Sequence, residues 1–136
     1  MNIIKVSDFS EYPGLRHCEI SDDSGELFYH NVMNESFKRS FEKHKKLYVN
    51  LDNTAGYAPS FLDEAFGNLV YDFGLNVVEK YLSIISEQEP DLIEIIENQT
   101  FPQWQQRREN HSAPKKTQKH SSWWFLDEDG NINNRS

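Results

Sequence analysis

Few side chains in this sequence stand where they could do chemistry, and Ser60 leads them. It lies in "APSFLDEAFGNLVYDFG" (58–74), where a loop punctuated by Gly56 and Pro59 runs into the best-formed helical pattern of the chain. A serine at that place has two uses. Its hydroxyl can accept from an orphan backbone N–H and cap the helix. It can also carry a phosphate or meet a partner, since helix N-termini favour anionic groups. Asp63, three residues on, stands where a capping box puts its acidic member, and Glu64 follows it. A second cluster is "DDSGE" (22–26), with two Asp, Ser24, Gly25 and Glu26. It reads as a plain turn or as a partner-binding loop, with Arg16 pairing to Glu26 or Asp23. Its adjacent carboxylates lack the alternating spacing of an EF-hand calcium loop.

Other chemistries find no matching pattern. His17 and Cys18 are neighbours, so on a strand they point to opposite faces. His30 and His44 are too far apart on one helix to share an ion, and zinc-ligand spacings are absent. No glycine loop cradles phosphate, and Ser60 lacks the flanking glycines of a hydrolase elbow. The expectation is a protein that is not an enzyme and uses no metal or cofactor. Cys18 is the single cysteine, which rules out an internal disulfide and fits a reducing cytoplasm. "MNIIKVSDFSEYPG" has no long apolar stretch and does not read as a signal peptide, and no apolar run is long enough to span a bilayer.

The elements that must position these residues follow from periodicity. "NIIKV" (2–6) reads as a first strand and "LRHCEI" (15–20) as a second paired with it, around a Pro13-Gly14 turn. Phe28, Val32, Met33, Phe37 and Phe41 recur at helical spacing, for a helix that starts between Ser24 and Asn31 and ends near His44. "LYVNL" (47–51) alternates and reads as a central strand. The helix from Ser60 has Phe61, Leu62, Ala65, Phe66, Leu69, Val70 and Phe73 on one stripe, and Gly74 suits a left-handed stop. Gly67 falls off that stripe and allows close approach by another backbone. A helical turn over 76–80, a strand over 82–85 and a helix opened by Pro90 complete the body. The order β-β-α-β-α-β-α implies an α/β fold: a mixed sheet of about four to five strands with helices packed on it, plus an extended C-terminal tail.

Charge divides the 136 residues unevenly. Residues 1–104 carry eight Lys/Arg against eighteen Asp/Glu, a balance of −10, whereas 105–136 carry six against four, a balance of +2. The acidic body disfavours nucleic acid and anionic membrane alike. The chain therefore divides into a body (1–104), a basic polar segment (105–122) that reads as a mobile linker, and an aromatic end (123–136). In that end Trp123, Trp124 and Phe125 precede a turn and form a strand or hairpin that docks on the domain or on a second copy. The basic segment leaves open an alternative, a nucleic-acid-associated accessory protein, and the tail leaves open a homodimer.

"SGELF" before a helix, then "LYVNLD", "GYAPSFLDEAFGNLV" and "YLSII", resembles the STAS-like domain family of unknown function. That family is related to sulfate-transporter and anti-sigma-factor-antagonist domains. The resemblance spans about residues 1–100 and includes Pro13, Gly14, Arg16, Ser24, Gly25 and Glu26. It implies a bacterial, cytoplasmic regulatory module working by protein–protein interaction. In anti-sigma antagonists a phosphorylatable Ser or Thr precedes a helix glycine by seven residues, as Ser60 precedes Gly67, and a histidine-kinase-like ATPase binds and phosphorylates that surface. The resemblance thus implies a phosphorylation or partner site of Ser60 with Asp52, Tyr57, Phe61, Asp63 and Glu64, and a secondary loop of Arg16, Ser24, Gly25 and Glu26. Ala58-Pro59-Ser60-Phe61 departs from the family's Asp-Ser-Ser-Gly type of motif.

Overall fold

The computed structural model describes residues 2–14, 16 and 23–135. The chain starts with β1 (Asn2–Lys5) and a one-turn helix α1 (Val6–Phe9). A helical rod follows, made of α2 (Gly25–Phe28), a π-helical turn (Tyr29–Met33) and α3 (Asn34–Glu42). Then come β2 (Leu47–Asn50), α4 (Pro59–Phe73), α5 (Leu75–Tyr81) and β3 (Leu82–Ile85). A second rod joins α6 (Asp91–Ile95), a π-helical turn (Ile96–Thr100) and α7 (Phe101–Glu109), and the chain ends in β4 (Trp123–Leu126) and β5 (Ile132–Arg135).

Among the described residues the strands form two sheets, where the pattern implied a single mixed sheet of four to five. β1, β2 and β3 lie in that order and all run parallel, with Asn2 opposite Leu47 and Leu47 opposite Leu82. Each connection between them crosses over through helices, which imposes the parallel sense. β4 and β5 pair antiparallel, Trp123 against Arg135. They pack on α3 and α4 and do not join the parallel sheet. The expected strand at 15–20 lies, apart from Arg16, outside the described residues.

Helix α4 is the centre of the molecule. Phe61, Leu62, Ala65, Phe66, Leu69, Val70 and Phe73 are all buried. Full burial of each large apolar side chain contributes about 1.5–3 kcal/mol. The helix starts and stops where its sequence says. Pro59 occupies the first helical position, and Gly74 closes the end at φ +88° with its N–H on the Val70 carbonyl at 2.8 Å. Two details differ. Ala58, in extended conformation, is the cap residue, so Ser60 is one position inside the first turn and does not cap it. The group that approaches Gly67 is the buried indole of Trp104 on α7, which a Cβ there would overlap, and not another backbone.

Nor is the opposite face of α4 open to solvent. Glu64, Asn68 and Asp72, one turn apart, are as buried as the apolar stripe. What covers them is Arg16, α2 and Tyr29 together with chain beyond residue 104. The expected mobile linker begins inside α7, and its later part lies against the body: Lys116 Nζ donates to Asn68 Oδ1 at 2.6 Å and Thr117 Oγ1 donates to Glu26 Oε1 at 2.7 Å.

Candidate functional site at the start of the central helix

The three parallel strands end on one edge, and the loops that leave β2 and β3 meet there. Such carboxyl edges are where open α/β sheets place their sites. The β2 loop is held rigidly. The Asp52 carboxylate accepts from the backbone N–H groups of Glu87 (3.1 Å) and Gln88 (2.9 Å), tying it to the β3 loop. Asn53, at φ +68°, donates its N–H to Gln88 Oε1 at 2.8 Å. Tyr57 donates its hydroxyl to the Leu51 carbonyl at 2.7 Å and packs its ring on Phe61, and burial raises its phenol above the ordinary range. Asp52 and Tyr57 therefore build the platform from which α4 departs.

Ser60 sits half-exposed on that platform. It lines a groove of about 430 Å³ between the start of α4 and the second helical rod, with Tyr57, Leu62, Leu92 and Ile95 among its walls. Arg16 crosses the same groove and donates to Asp63 at 2.7 Å and to Glu64 at 3.1 Å. This corrects the expected pairing of Arg16 with Glu26 or Asp23. Burial opposes the charge of Arg16, yet Asp63 and then Glu64 raise its pKa above the ordinary value. Asp63 is part-exposed, whereas Phe61 and Glu64 are buried. Among the described residues lining the groove there is no histidine, so Ser60 has no proton acceptor of that kind beside it.

The residues of the secondary loop do not form a surface. Ser24 is the true serine cap, accepting from the Leu27 N–H at 3.1 Å, and it is buried. Gly25 lies where a Cβ would overlap the Phe61 carbonyl. Glu26 is fully buried and accepts from the Thr117 N–H and hydroxyl and from His120. Of this group only Arg16 reaches the Ser60 groove, while Ser24, Gly25 and Glu26 brace α2 against α4 and the C-terminal segment.

A buried polar seam went unread in the sequence. On one side of α4 run Glu64, Asn68 and Asp72; on the other stand Glu26, Tyr29, Lys116, His120 and Arg135. Tyr29 donates its hydroxyl to Asp72 at 2.5 Å, and Arg135 Nε donates to the same carboxylate at 3.1 Å. Burial raises the pKa of Asp72 in spite of both bonds, and burial lowers that of Lys116. His30 stacks on His120 with ring centres 3.9 Å apart, and its two ring nitrogens are buried without a partner. Burial, with Lys116 and His120 nearby, pushes its pKa down to about 2. Two signals could have exposed the seam: the polar series at positions 64, 68 and 72 of an otherwise apolar helix, and the basic balance of 105–136 beside an acidic body. Among the described residues no cluster of three or more His, Cys, Asp or Glu could hold a metal ion, and no helix is long and apolar enough to cross a membrane.

A family model described as a STAS-like domain of unknown function matches residues 24–92, a segment that runs from the Ser24 cap to Leu92 of the groove wall and contains Ser60. No curated protein and no solved structure matches the chain.

Proposed function

This chain belongs to the STAS-like family of unknown function, and from that premise we propose that it is a non-enzymatic regulatory module that binds a protein partner at the start of α4. The observation that carries the reading is Ser60 itself: half-exposed, freed from capping by Ala58, and set in a groove on a rigid platform. We propose further that Ser60 is the switch, phosphorylated by a histidine-kinase-like ATPase partner. A phosphate at this place sits at the positive dipole end of a helix 15 residues long. It also adds about −1.5 to −2 charge next to Asp63, which already shares Arg16 with Glu64. A partner face fitted to the unmodified serine is then repelled.

The test is a binding titration with the ATPase alongside intact-mass measurement after incubation with ATP. The mass should place a phosphate on Ser60. Ser60→Ala should bind as the native chain does, and Ser60→Asp should bind about tenfold more weakly or worse with unchanged melting temperature. Equal affinity of the two variants removes the switch. A second reading, a nucleic-acid accessory protein working through its basic tail, loses support from Arg108, Lys116 and Arg135. All three turn inward, to Tyr71 and Leu126 carbonyls, to Asn68 and to Asp72.

A further inference from the structure

We infer that the occupant of the Ser60 groove is an amphipathic helix of a protein partner, apolar on one side and flanked by Lys or Arg. The inference rests on the proposed function in sharing its surface, and it adds the chemistry of what binds. The groove runs between two helices, the shape that receives a third. Its walls carry Leu62, Leu92 and Ile95. Ile95 is 42 % exposed, one of three large apolar side chains left in solvent among the described residues. A side chain of that size exposed beside a concave surface marks a contact site more readily than a scattered one.

The chain beside the groove supplies the sign. Asp91 and Glu94 stand exposed beside Leu92 and Ile95, and Glu87 and Glu89 lead into the helix. Residues 81–104 contain five Asp/Glu and no Lys or Arg. The cation inside the groove, Arg16, is matched by Asp63 and Glu64. A groove with apolar anchors in its walls beside an acidic stretch of chain selects a segment with apolar anchors and basic flanks. It rejects nucleic acid, whose phosphates carry the same sign as that stretch.

The probe is a fluorescein-labelled helical peptide of Leu and Lys, about 15 residues long so that it holds a helix, set against its Leu and Glu counterpart. Binding to the full chain is followed by anisotropy at low and moderate salt. The Lys peptide should bind, weaken with salt, and exceed the Glu peptide by about tenfold or more. Ile95→Gln, and separately Asp91→Lys with Glu94→Lys, should each weaken it about tenfold, whereas Glu35→Lys on α3 should leave it unchanged. Three results overturn the inference: indifference to Ile95→Gln, equal loss from Glu35→Lys, or self-association of the free chain that Ile95→Gln abolishes. The two proposals fail separately. A peptide mapped to the groove, with Ser60→Asp still binding the ATPase normally, sinks the switch alone. An ATPase that is lost on Ser60→Asp but a peptide indifferent to Ile95→Gln sinks only the basic helix.

Discussion

At the scale of single residues, two serines exchange the roles that the sequence suggests for them. Ser60 looks like a cap and is not one, because Pro59 takes the first helical position and moves the cap back to Ala58. Ser24, in what looks like a turn, caps α2 from inside the core. Glu26, which reads as part of a turn or partner-binding loop, and His30 are packed against the C-terminal segment through His120. His30 gives a pH prediction with a definite sign. Its folded pKa of about 2 lies below the ordinary 6.5, so the unfolded chain takes up a proton that the folded chain refuses. Stability attributable to neutral His30 is complete above pH 6.5 and declines on acidification, at up to about 1.4 kcal/mol per pH unit. Urea midpoints of His30→Phe and native protein should therefore differ in their pH dependence between 7 and 5, with the variant flatter. Parallel curves would mean that the ring takes up its proton in the fold as readily as in the unfolded chain.

At the scale of elements, the pairing of α4 with α7 is the most demanding contact. Gly67 has no Cβ because the Trp104 ring occupies its place, and Arg107 stacks on the other side of that indole at 4.2 Å. Gly67→Ala should destabilise the protein by about 1–3 kcal/mol in spite of the better helix propensity of alanine. Trp104→Leu should also destabilise. The double variant should cost less than the two single changes together, a coupling that thermal or urea denaturation reads directly. The hairpin β4–β5 is a second instance of elements locked by few groups. Asn34 donates to the Trp124 carbonyl at 2.9 Å and accepts from its N–H at 2.8 Å, fixing β4 on the first helical rod.

At the scale of the whole molecule, the chain works as an acidic body closed by a basic strap. Lys116, His120 and Arg135 reach Asn68, Glu26 and Asp72 across the seam. Truncation after Ala113 would strip Lys116, Thr117, His120 and Arg135 from the seam and take from Glu26 and Asp72 the bonds these residues make. We expect such a chain to lose its cooperative melt. Arg135→Ala, which removes one of the two groups holding Asp72, should lower stability by about 1–3 kcal/mol in a single transition. A truncated body melting like the full chain would show that 114–136 is an appendage.

Much of this was legible from sequence because it is decided within a few residues. Pro59 and Gly74 bracket α4 by their own backbone preferences, alternation marks β2, and Asp127 to Gly130 turns the hairpin. The Ser60 region was legible as a helix start following a strand loop. Its groove was not, since Leu92 and Ile95 come from a rod some thirty positions further along the chain. The parallel sheet and the seam belong to tertiary structure alone. Glu26 and His120 are 94 positions apart, and nothing local to either says that a carboxylate and an imidazole will be buried together. Local sterics and hydrogen bonding set where the elements lie. Which polar groups enter the interior depends on whether distant chain brings them partners, because an unpaired buried charge is too costly to keep.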